Sequence, residues 1–107
     1  MPDPSKRLAF LEQAIRSGSA DSFVYYGLGM EYRKAGRVDE SLAIFTELRA
    51  RDEDYLPMYL MVGQMLTEAE RKPEACEWLE AGIALARERA DQKALGELET
   101  ALGEARG

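Results

Sequence analysis

The chain has 107 residues, with 20 acidic and 14 basic side chains, a formal charge of −6, one Cys and no His. That length predicts a single domain, residues 1–107, around one core. The missing His removes the usual neutral-pH general base, the commonest metal ligand and every Ser/His or Cys/His pair, and a lone Cys excludes an intrachain disulfide and a Cys/His zinc site.

No catalytic residue, metal or cofactor is therefore expected. Ala, Glu, Leu, Arg and Lys supply 56 residues, whereas Val, Ile and Thr supply 9, so the predicted fold class is all-α. The acidic balance argues against nucleic acid as a partner. No apolar run approaches the ~18–20 residues of a spanning helix, and Met1-Pro2-Asp3-Pro4-Ser5-Lys6-Arg7 does not read as a signal peptide. A cytoplasmic location, compatible with free Cys76, is the expectation.

Six helices are predicted in chain order. The first, about Pro4 to Ser17, carries Leu8, Leu11 and Ile15 at three- and four-residue steps and stops at Ser17-Gly18-Ser19. Asp21 or Ser22 caps the second, which runs to Lys34 before Gly36 ends it. The third, about Arg37 to Arg51, aligns Val38, Leu42, Phe45 and Leu48. Pro57 opens the fourth, which ends near Glu70, and Pro73 opens the fifth, with Trp78, Leu79 and Ile83 on its apolar side. A sixth holds Leu95, Leu98 and Leu102. Short connections make sequence neighbours antiparallel.

A shift of 34 residues aligns Tyr25 with Tyr59, Gly29 with Gly63, Ala35 with Ala69, Arg37 with Arg71, Glu40 with Glu74 and Ala50 with Ala84. Gly29 and Gly63 carry the most information, because a mid-helix Gly costs about 1 kcal/mol relative to Ala. Its recurrence predicts a second helix too close for a Cβ.

With Tyr25, Leu28-Gly29, Tyr32, Ser41 and Phe45 in place, residues 22–55 resemble a tetratricopeptide repeat, a 34-residue helix-turn-helix unit. Residues 56–89 match more loosely through Tyr59, Val62-Gly63, Leu66, Ala75 and Leu79, and depart from the pattern at Gly82. Residues 4–17 fall in the phase of a repeat's second helix. Residues 90–106 read as a closing helix only after a two-residue slip, which puts Leu95, Leu98 and Leu102 at core places. The resemblance implies a right-handed stack of antiparallel helical hairpins.

In proteins similar to this, the first helices of successive repeats line a concave groove. The resemblance then places Phe23, Tyr26, Met30, Arg33 and Lys34 of the second helix, and Leu60, Met61 and Gln64 of the fourth, on a surface for a protein or peptide segment. Four large apolar side chains there, Phe23, Tyr26, Met30 and Leu60, exceed what a solvated face needs, and Met suits an adaptable surface. A flanking helix folded over them, or a second copy of the chain, would use the same residues differently. Tyr26, Met30, Met61 and Gln64 stand where a chaperone-tail carboxylate clamp would need Lys or Asn, so that clamp is absent.

Charge is uneven: residues 1–51 balance at +1 and residues 52–107 at −7. The acidic half is either solvated surface or a face for a basic partner. The expected function is a non-catalytic adaptor, monomeric or weakly homodimeric. The alternative is a structural, self-associating module.

Overall fold

The computed structural model describes residues 4–18 and 20–107; Met1-Pro2-Asp3 and Ser19, the last residue of the expected first stop, lie outside them. The described residues form six helices and no strand: α1 (Pro4–Arg16), α2 (Ser22–Lys34), α3 (Val38–Arg51), α4 (Pro57–Glu68), α5 (Lys72–Glu88) and α6 (Gln92–Arg106). The fold is all-α. The boundaries predicted for α1 to α4 fall within two residues of those found, and the differences have local causes. Arg37 is the N-cap of α3 rather than its first residue, and Pro73 sits in the first turn of α5 behind Lys72. The chain divides into two compact units, Met1–Glu53 and Asp54–Gly107.

In the first unit Asp21 caps α2, its carboxylate accepting from the Val24 N–H at 3.1 Å. Tyr25, Leu28, Gly29 and Tyr32 form the buried stripe of α2 and meet Ser41, Phe45 and Leu48 of α3. A Cβ built on Gly29 would lie 2.5 Å from the Phe45 ring. The interhelical distance is therefore set by the absence of that atom. Ser41, fully buried, donates its hydroxyl to the Gly29 carbonyl at 2.7 Å. At the other end of the pair Ser22 donates to the Asp52 carboxylate at 2.6 Å, and the Arg51 guanidinium lies 4.9 Å from the centre of the Tyr25 ring. Helix α1 packs Leu8, Leu11 and Ile15 against Val24, Leu28, Tyr32 and Ile44. Arg7 pairs with Glu31 at 2.8 Å, and the Tyr32 hydroxyl hydrogen-bonds to Glu12.

The second unit repeats the motif and extends it. A Cβ on Gly63 would fall 2.2 Å from Leu79, the counterpart of Phe45 at the 34-residue offset. Ala75 replaces Ser41, and the Gly63 carbonyl instead accepts from Thr67 of its own helix at 2.7 Å. Gly82, a departure from the repeat pattern in sequence, has a structural reason: a Cβ there would stand 2.6 Å from Tyr59 Cβ and 2.9 Å from Leu98. Helix α5 thus lies close to both α4 and α6, which also touch each other. Leu98, Ala101, Leu102 and Ala105 are buried along α6, whose N-terminus is capped by Asp91 and whose last turn is tied to α5 by Arg106 and Glu80 at 2.9 Å.

Among the described residues, α2, α4 and α5 end alike. Arg37 N–H donates to the Tyr32 carbonyl, Arg71 to Leu66 and Asp91 to Ala86, at 2.8–2.9 Å, each closing a six-residue loop around one left-handed residue. That residue is Gly36 after α2, with φ 75°, but Glu70 after α4, with φ 61°, and Ala90 after α5, with φ 54°.

Candidate functional site

One face of α2 carries Phe23, which is 72% exposed. Tyr26 and Met30 are half-buried on the same face. The Tyr26 ring meets Phe45 edge-on, with centroids 6.0 Å apart, so this residue anchors to the core through one edge. Burial pushes its phenol above the usual tyrosine range, an effect the Arg33 guanidinium partly offsets. Arg33 is half-buried and Lys34 exposed. None of these five side chains is enclosed by the chain.

The remaining predicted residues lie on α4, where all three are half-buried. Leu60 and Gln64 line an open groove of about 510 Å³ between α4 and α6, shared with Gln92, Lys93, Gly96, Glu97, Thr100, Ala101 and Glu104. Met61 is not among the lining residues. Toward the C-terminal end of α4, Gln64, Thr67 and Glu68 share a second space of about 210 Å³ with Ala101 and Glu104. Leu60, Gly96 and Ala101 are the apolar or small members of the lining of the 510 Å³ groove, and the other six are polar or charged. Thr100 turns its hydroxyl to the Gly96 carbonyl at 2.9 Å, and an added Cβ on Gly96 would meet nothing within 4 Å.

The α6 side of this groove was missed from the sequence, although a signal for it exists. The two-residue slip that brings the α6 leucines into phase also maps Pro57, Leu60, Gln64 and Glu68 onto Lys93, Gly96, Thr100 and Glu104. The last four all line the groove. Among the described residues no group of three or more Cys, Asp or Glu side chains is arranged to hold a metal ion, and no helix is long and apolar enough to cross a membrane.

No protein-family model matches the sequence, and no curated protein matches it. Solved structures do. The crystal structure of a tetratricopeptide repeat domain protein from Salinibacter ruber is 36% identical, covers 81% of this chain and 98% of its own, and superposes with a TM-score of 0.73. A solution structure of a tetratricopeptide repeat domain protein from the same organism, also 36% identical, gives 0.75 over 81% of this chain and 88% of the other. A Bordetella parapertussis protein solved in solution shares the fold at a TM-score of 0.79, with 23% identity over 92% of this chain and 86% of its own. The chain belongs to the tetratricopeptide-repeat family, whose fold is in general a protein-interaction module.

Proposed function

We propose that this protein is a cytoplasmic adaptor that binds a segment of another protein and carries out no chemistry itself. The observation that supports this best is the open α4/α6 groove, in which Leu60 and Gln64 stand across from Gly96, Thr100 and Ala101 between charged side chains. In the first unit, Phe23, Tyr26 and Met30 offer an apolar face on α2, with Arg33 and Lys34 as orienting cations. Such faces suit an amphipathic helix or an extended segment. Repeats at 22–55 and 56–89 with flanking helices at 4–17 and 90–106 would be the smallest array able to bury its hairpins while leaving these faces open. Affinity capture with the wild type, with Tyr26→Ala/Met30→Ala and with Leu60→Glu tests the reading. Loss of specific partners in either variant supports it, and an unchanged partner set in both would sink it.

A second reading, self-association, is favoured by one observation: Phe10 and Phe23 are 73% and 72% exposed in the first unit. Light scattering across a concentration series distinguishes it. A stable dimer that Phe10→Ala/Phe23→Ala dissociates would support this reading; a monomer at all concentrations would exclude it.

A further inference from the structure

Resting on the interaction-module reading, we propose that the α4/α6 groove takes a basic amphipathic helix of a partner protein, with Lys or Arg residues seven apart meeting Glu97 and Glu104. Three observations converge on this chemistry.

The first is charge. Glu97, Glu104 and Glu68 border the groove and the adjoining space, against Lys93 as the one cation among the lining residues. The Glu97 and Glu104 carboxylates make no hydrogen bond or ion pair among the described residues. The surrounding unit, residues 54–107, carries 11 acidic and 6 basic side chains, so its field attracts cations before contact.

The second is the apolar and open part of the lining. Leu60 and Ala101 are apolar, Thr100 spends its hydroxyl on its own helix, and the space above Gly96 is open. The groove therefore needs apolar side chains between the partner's charges rather than a fully polar strand.

The third is spacing. Glu97 and Glu104 are two helical turns apart on one face, about 10.5 Å along the axis. A partner helix has the same rise, so residues seven apart on it match that interval with apolar residues three or four positions along between them. Same-side residues of an extended strand repeat at about 6.7 Å, and neither that interval nor its double fits.

The test titrates isotope-labelled full chain with three helical peptides of about 16 residues on one Ala/Leu frame. They carry two Arg, two Gln or two Glu seven apart. The Arg peptide is expected to bind at least tenfold tighter than the Glu peptide and to weaken as salt rises. It should shift the amides of Leu60, Gly96 and Thr100. Glu97→Lys/Glu104→Lys should reverse the order of the charged peptides, and Glu97→Gln/Glu104→Gln should abolish the preference. Equal binding of all three peptides with shifts in the groove would overturn the basic partner while leaving the groove as an interaction site. No groove shift with any peptide, or an Arg peptide that binds elsewhere, would overturn both.

Discussion

Ser41 Oγ sits 2.7 Å from the carbonyl oxygen of Gly29, a side chain of α3 donating to the backbone of α2 at the glycine whose missing Cβ makes room for Phe45. In the second unit the corresponding carbonyl, that of Gly63, accepts from Thr67 instead, and Ala75 fills the place of Ser41 at the same complete burial. The same backbone site is thus served from across the interface once and from its own helix once.

Ser41→Ala is therefore a shape-compatible change that removes one hydrogen bond. Loss of about 1 kcal/mol is expected in urea unfolding, with no change in helix content. Ser41→Val adds bulk beside the Phe45 contact and should cost roughly 1–3 kcal/mol more.

Glycine substitutions should separate by position. Gly29→Ala and Gly63→Ala place a methyl at 2.5 and 2.2 Å from Phe45 and Leu79, and overpacking of that kind costs about 1–3 kcal/mol. Gly96→Ala meets nothing and should stabilise α6 by about 1 kcal/mol. Thermal melts of the three variants check both signs.

The left-handed residues offer a gain. Glu70 and Ala90 hold φ values of 61° and 54°, where Gly36 sits without a side chain. A left-handed conformation costs an L-residue roughly 1–2 kcal/mol, so Glu70→Gly and Ala90→Gly should each stabilise by about 1 kcal/mol after the added chain entropy of Gly. A melting temperature lowered by both changes would contradict the geometry.

Tyr32 sets an alkaline limit. Burial, then the nearby Glu12 and Glu40 carboxylates, raise its phenol above the usual value, with Arg37 opposing. The raised folded pKa means that its contribution is complete below the unfolded value of about 10 and is lost as pH climbs through the folded one. Tyr32→Phe should flatten the alkaline arm of a stability–pH curve and, by removing the bond to Glu12, lower stability at neutral pH by about 1 kcal/mol.

Ion pairs should rank by burial. The Glu31 side chain is 10% exposed and paired with Arg7, so Arg7→Ala strands a largely buried carboxylate and should cost roughly 1–3 kcal/mol. Arg106→Ala breaks a pair whose side chains are 63% and 55% exposed and should stay within about 0.5 kcal/mol of wild type. Equal effects in chemical denaturation would contradict this ranking.

Local patterns carried much of this structure. The cap of α2 was legible as Asp21 or Ser22, Pro57 as a helix start, and Gly29 and Gly63 as points of close approach, because each reflects a backbone requirement that only a few residue types meet. Other features were not legible. No glycine marks Glu70 or Ala90 as left-handed; the 34-residue offset places Glu70 on Gly36, but Ala90 has no such counterpart. Arg7 and Glu31 are too far apart in sequence for any helical spacing rule to pair them. Gly82 read as a lapse from the repeat because its partner Leu98 belongs to a helix outside the 34-residue register.

By itself the sequence determined an all-helical chain without His chemistry, the positions of its helices and the paired contacts that the 34-residue offset relates. These follow from propensity, capping and periodicity, all properties of neighbouring residues. Tertiary structure alone decided that α6 lies against α4, turning Lys93, Gly96, Thr100 and Glu104 into the second wall of a groove. The physical reason is that a groove belongs to the space between two helices. Its shape depends on where Gly82 lets Leu98 and Tyr59 sit, which no single helix encodes.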